Sequence, residues 1–94
     1  MRIVYSPQAI EDLETYVGYV ARSNPDAAAR LAQRVLKVID RLADGAFEGP
    51  ERQLRSGERV RSLPVYPLRI YYRRDADMLS VLRIYHEARR PIAK

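Results

Sequence analysis

The side chains of this chain that can do chemistry are Arg, Tyr and one His, gathered in the C-terminal half. Arg59, Arg61, Arg69, Arg73, Arg74 and Arg83 fall in strand-like segments, and Arg89 and Arg90 follow the last of them. Tyr66, Tyr71, Tyr72 and Tyr85 interleave with these cations. Guanidinium forks hold phosphate bidentately, and phenol rings stack on bases. A face of this kind suits an RNA strand. It also offers what metal-free RNA cleavage needs besides the 2′-hydroxyl nucleophile: an acid, a base and cations for the charge on phosphorus. His86 is the single His and the one residue whose ordinary pKa suits proton transfer near neutrality. Each residue also has a plainer role. His86 fits a structural position at a strand end, and Tyr71 and Tyr72 fit packing within the sheet. Arg83 stands in an otherwise apolar strand, where an unpaired guanidinium is costly. It is therefore expected to reach a carboxylate, a tail carbonyl or solvent.

The rest of the composition narrows the field. There is no Cys, which excludes disulfides, zinc ribbons, iron–sulfur ligation and thiol nucleophiles. A lone His excludes a multi-His metal site, and no cofactor is expected. No Gly-rich turn leads into Lys-Ser/Thr, so a nucleotide cradle is unsupported. Ser56, Ser62 and Ser80 show no triad order, and Asp75 and Asp77 read as turn formers. No apolar run approaches the roughly 20 residues that span a bilayer, and the first residues lack a secretory apolar region. A cytoplasmic protein without a membrane partner is expected. Its 94 residues make one domain, 1–94. A domain of this size buries only about 60–65% of the surface its unfolded chain exposes.

The net charge is +5, and it is unevenly placed. Residues 1–50 carry six Arg/Lys against seven Asp/Glu, whereas residues 51–94 carry eleven against five. Such asymmetry suits an acidic partner for the second half, either nucleic acid or protein. A solvated basic face is the plainer reading. Of the cations only Lys37 and Lys94 are lysines.

Positioning falls to the elements. Met1–Tyr5 predicts a first strand. Ser6-Pro7 then supplies an N-cap and a first helical position that needs no N–H. Ile10, Leu13, Val17 and Val20 recur at helical spacing, with Tyr16 beside them, which predicts a helix from Pro7 to Arg22. Asn24-Pro25 stops it and restarts the same punctuation. Ala28, Leu31, Val35, Val38, Ile39 and Leu42 predict a second helix from Pro25 to Ala43, ended by Asp44-Gly45. So short a break forces an antiparallel helical hairpin. Residues 46–58 read as an irregular connection with at most one helical turn. Three strands follow: 58–64, then Leu68–Arg73 with strict alternation, then Met78–His86, an apolar β-branched run fit for a central position. Asp75-Ala76-Asp77 is the turn before the last strand. The expected fold class is α+β: strand, helical hairpin and three-stranded antiparallel meander, β-α-α-β-β-β, with the first strand at the edge or in the middle of the sheet.

The stretch Val60–Pro91 resembles the C-terminal half of the RelE/ParE toxin superfamily, the toxins of type II toxin–antitoxin modules, also called plasmid stabilisation proteins. Its most specific parts are Arg69–Arg73 (RIYYR) and Val81–Arg90 (VLRIYHEARR). The opening Ile3–Pro7, with Ala9 and Leu13, and the Asn24-Pro25 break resemble the family as well, so the likeness spans nearly the whole chain. The resemblance implies the fold just described and an antitoxin encoded beside the toxin. It also implies one of two targets. RelE-type toxins cut mRNA in the ribosomal A site, and ParE-type toxins poison DNA gyrase. A RelE-like site draws on lysines in the middle strands and a Tyr after the last strand. Here no Lys lies between Lys37 and Lys94, and no Tyr follows Tyr85. Some nuclease relatives combine Glu, Arg, His and a late Tyr; Glu51 or Glu58, Arg61 and His86 supply three of these. The ending His86–Arg90 is more similar to ParE, which makes gyrase the expected target and the ribosome with its mRNA the alternative. If the chain is a nuclease, Arg61, Arg83 and His86 are its candidate catalytic residues. The candidates for target contact are Arg59, Arg61, Arg69, Tyr71, Arg73, Arg83, His86, Arg89 and Arg90. The implied antitoxin is ParD-like, with a ribbon-helix-helix start and an acidic segment that folds on binding to form a hetero-oligomer. Its expected seat is the flank of the hairpin at Leu13, Tyr16, Val17, Tyr19, Val20 and Leu36, with sheet-edge addition as a further contact.

Overall fold

The computed structural model describes residues 1–88 and Ile92. Strand β1 is Arg2–Tyr5, helix α1 Pro7–Ala21 and helix α2 Pro25–Ala43. Four further strands follow: β2 Glu51–Gln53, β3 Arg59–Val65, β4 Leu68–Arg74 and β5 Met78–His86. They form one sheet in the order β1-β5-β4-β3-β2. The pairs from β2 to β5 are antiparallel, while β1 lies parallel to β5 at the edge. The α+β reading holds, with one correction. The connection expected to be irregular contains β2, a fully exposed strand that no apolar alternation announces. Pairing with β3 makes it a strand, and it covers the outer edge of β3.

Local chemistry sets the helix starts. The Ser6 Oγ accepts from the Ala9 N–H at 2.9 Å, and the Asn24 Oδ1 accepts from the Ala27 N–H at 3.0 Å. The α2 stripe Ala28, Leu31, Val35, Ile39 and Leu42 is buried against Val65, Leu68, Ile70, Tyr72, Leu79, Val81 and Ile84 of the sheet. This is the main core. A second, smaller cluster lies on the sheet face away from the helices: Val60, Tyr71 and Tyr85, with Leu54, Leu82 and Ile92 packed against them.

The edge of β5 is finished by α1. β1 reaches only to Val81, leaving the last five residues of β5 without a strand on that side. The Ser6 N–H donates to the Val81 carbonyl at 2.9 Å, and the Ser6 hydroxyl donates to the Leu82 carbonyl at 2.7 Å. Asp12 Oδ2 accepts from the Ile84 N–H at 3.1 Å. Polar groups that would otherwise sit orphaned at a buried edge are thus satisfied from the helix. The register of β4 against β5 slips at this place. Tyr71 pairs with Arg83 and Tyr72 with Val81, so Leu82 is the extra residue of a bulge.

One glycine is required by close approach. A Cβ on Gly49 would stand 2.1 Å from the Ser62 carbonyl oxygen, inside any possible contact. The loop around it is pinned by Glu48, which accepts from the Tyr72 hydroxyl at 2.8 Å and pairs with Arg74 at 3.0 Å. Arg74 also donates to the Leu42 carbonyl at 2.7 Å, joining the end of α2 to the end of β4. The Arg74 hydrogen bonds hold the Glu48 carboxyl below its ordinary pKa.

Candidate functional site

Cross-strand partners share a face, so the register sorts the candidate residues by side. On the face away from the helices lie Tyr71, Arg83 opposite it, and Arg69 opposite Tyr85. Arg83 is held bidentately by Asp12 of α1, Nε to Oδ2 at 2.7 Å and Nη2 to Oδ1 at 2.9 Å. Its guanidinium lies over the Tyr85 ring, 5.1 Å from the centroid. Hydrogen bonding to Asp12 raises the Arg83 pKa further above its ordinary value. A carboxylate partner was one of the expected outcomes for this cation. Which carboxylate had no local signal, because Asp12 is 71 residues away. Arg69 pairs with Glu87 at 2.8 Å and donates to the Ser62 Oγ at 3.1 Å. Arg73 pairs with Glu58.

Tyr71, a candidate for target contact that also fitted packing within the sheet, is in the packed position: its residue is 1% exposed. Its hydroxyl donates to Glu87 Oε1 at 2.8 Å. Burial, then the hydrogen bond to Glu87, push the phenol up to about 12. It is therefore a donor near neutrality and not a base. Its hydroxyl and Arg69 share the Glu87 carboxylate.

His86 sits on the other face, opposite Leu68 of the main core. Its ring packs on Tyr16 of α1, with centroids 4.6 Å apart. Thr15, Tyr16, Tyr19 and His86 line a cavity of about 290 Å³ that opens to solvent. Arg61 is also on the helix side, opposite Tyr72, and its guanidinium donates to the Gly49 carbonyl at 2.8 Å. Arg59 is exposed at the start of β3, opposite Gln53. Arg89 and Arg90 lie outside the described residues. Of the nuclease candidates, then, Arg83 faces away from the helices while Arg61 and His86 face towards them. The fold does not bring the three together. Among the described residues no group of His, Asp or Glu is placed to hold a metal ion, and no helix is long and apolar enough to cross a membrane.

The hairpin residues divide by exposure. Tyr19 is 64% exposed and Leu36 42%, and Ile10, elsewhere on α1, is also open. Tyr16, Val17 and Val20 are half-buried, and Leu13 packs on the main core. The residues that sequence reasoning did not single out are the carboxylates Asp12 and Glu87, partners of Arg83 and Arg69, and Glu58, named as a nuclease candidate, was not foreseen as the partner of Arg73.

The strand–hairpin–sheet order and a basic sheet half set against an apolar hairpin flank describe a small protein toxin of the superfamily resembled above. Residues 3–91 match the family described as the ParE toxin of the type II toxin–antitoxin system, parDE. The chain belongs to this family and is a toxin of the type II toxin–antitoxin class. It is 31% identical over 88 residues to Y4kP of Sinorhizobium fredii, a protein named as a toxin, covering 92% of this chain and 91% of that one. It is 33% identical over 90 residues to the toxin RelE2 of Caulobacter vibrioides, covering 94% and 97% respectively. A solved structure titled as the chromosomal ParDE TA system from P. aeruginosa shares the fold. The TM-score is 0.73 at 19% identity, over 92% of this chain and 95% of that one.

Proposed function

We propose that this toxin arrests growth by poisoning DNA gyrase in the cytoplasm, and that a cognate antitoxin neutralises it by direct binding. The separation of Arg61, Arg83 and His86 carries the reading. General acid–base cleavage needs its acid, base and cations within reach of one scissile phosphate. Here Arg83 is committed to Asp12 on one face, and His86 is packed against Tyr16 on the other. A poison that wedges into a protein–DNA complex needs no such assembly. Its requirement is an accessible cationic surface, and Arg59, exposed at the start of β3, and Arg73, half-exposed beside Glu58, support that reading. Purified toxin is expected to stall gyrase and accumulate double-strand breaks in supercoiled DNA. Unchanged supercoiling at saturating toxin would overturn the reading.

The second reading, cleavage of mRNA at the ribosome, draws support from the name of the Caulobacter relative. It requires cuts in translated mRNA on induction, lost in Arg61→Ala or His86→Ala. Transcripts are expected to stay intact.

The antitoxin's seat is placed on the hairpin flank because Tyr19 and Leu36 leave apolar surface open there. A segment that folds across Tyr16, Tyr19 and Leu36 recovers that area. Tyr19→Asp together with Leu36→Asp should weaken the toxin–antitoxin complex at least tenfold while leaving the thermal midpoint of the free toxin within about 2 °C.

A further inference from the structure

Helix α2 presents a row of cations to solvent. Arg30, Arg34, Lys37 and Arg41 are all exposed. At 100° per residue they fall within about 60° of one another, in a row about 16 Å long. None of the four stands in an ion pair among the described residues. Arg34 Nη2 donates to the Tyr66 carbonyl at 2.7 Å, and the Arg41 guanidinium lies 5.5 Å from the Phe47 ring centroid. Arg30 and Lys37 have no polar partner among the described residues. Because residues 1–50 carry six Arg/Lys against seven Asp/Glu, composition hides this row.

The carboxylates of the helix stand aside. Asp26 lies a turn before Arg30, and Asp44, the C-cap residue, follows Arg41. Asp40 is the one carboxylate from 27 to 43. Burial, then the charge of Asp40, raises the Tyr5 phenol, which sets Asp40 towards β1. Arg30 with Arg34, and Lys37 with Arg41, are like charges at i,i+4, a spacing that weakens a helix on its own. Phosphates laid along the row relieve that repulsion, and a nucleic acid so bound releases condensed counterions.

The surroundings select among polyanions. Single strands are held where aromatic rings alternate with cations. No ring stands within this row: Phe47 is covered by Arg41, and Tyr66, 85% exposed, lies beside Arg34 only. An acidic peptide needs an apolar anchor. Leu36, the large apolar side chain open on α2, is about 100° round the helix from Lys37, on the flank given to the antitoxin.

We propose that this face of α2 binds the backbone of duplex DNA without reading its sequence. Over about 16 Å one strand presents about five phosphates, enough to engage all four cations. The contact is independent of the gyrase reading and of the antitoxin's seat.

The test follows binding of a labelled duplex of random sequence to the full-length toxin by fluorescence anisotropy, with no gyrase present. Wild-type affinity is expected to fall about a hundredfold between about 50 and about 200 mM salt. Arg30→Gln with Lys37→Gln, two side chains that hold nothing in the fold, should reduce the slope of log affinity against log salt by about 1.8. The control removes the same net charge from the other sheet face, where Arg2 and Arg52 stand, as Arg2→Gln with Arg52→Gln. Its slope should stay at the wild-type value. Equal loss in the two variants would reduce the effect to net charge and overturn the proposal, as would a slope unchanged in the α2 variant or no binding at low salt. Tighter binding of a single-stranded oligonucleotide or an acidic peptide, lost in the α2 variant, would overturn it in favour of that partner.

Discussion

Asp12 does more than any other single side chain described here. One carboxylate closes a bidentate pair with Arg83 and caps the Ile84 N–H, and its side chain is only 10% exposed. Asp12→Ala strands a guanidinium and a backbone donor together, so we expect a loss of about 3 kcal/mol in urea unfolding. Arg83→Ala leaves Asp12 still bonded to Ile84 and should cost less, about 1–2 kcal/mol. Gly49→Ala drives a methyl into the Ser62 carbonyl. Backbone must move to relieve it, for a cost of about 2 kcal/mol or more, read from the same denaturation curve. Tyr71 sets a pH dependence. Its folded pKa, about 12, lies above the unfolded value near 10. A raised folded pKa favours the protonated native state, so the contribution is whole below pH 10 and disappears as pH rises through 12. Stability should fall across that window, and Tyr71→Phe should flatten the fall. A titration followed at 295 nm should show one phenol fewer ionising late in the variant.

Among the elements, the two helices and the strands β3 to β5 were legible because each carries its own period or cap. Ser6-Pro7 and Asn24-Pro25 mark the helix starts, and the alternation from Leu68 marks β4. β2 was not legible. It is three polar, exposed residues, and what makes it a strand is β3 beside it. The same limit applies to the candidate site. The arginines were visible as residue types. Their carboxylates were not, since Asp12 meets Arg83 across 71 positions and Glu58 meets Arg73 across fifteen. Nor was the bulge at Leu82, which puts Arg83 with Tyr71 and returns His86 to the helix side. Ser6 is where cap and sheet edge coincide, holding Ala9 and Leu82 with one hydroxyl. Ser6→Ala should therefore cost about 2 kcal/mol, the upper end for an N-cap, whereas Asn24→Ala, an exposed cap alone, should cost about 1.

At the scale of the molecule, β1 and β5 join the two ends of the described chain. Arg2 pairs with Met78 and Tyr5 with Val81, and Ser6 and Asp12 reach Leu82 to Ile84. These are the contacts of greatest sequence separation, and non-local pairing of this kind forms late in folding. The hairpin alone buries too little to stand. This bears on when a cell first meets the toxin. While the chain is being made, at roughly 5–20 residues per second, residues 78–84 emerge after every element they pair with. Until they leave the ribosome, β1 has no partner and α1 has no sheet edge to finish. A nascent chain arrested with Asp77 as its last exposed residue should be cut freely by a dilute protease, and one exposed through Glu87 should resist it. The sheet therefore closes as a single late event, when the last strand of the described chain appears.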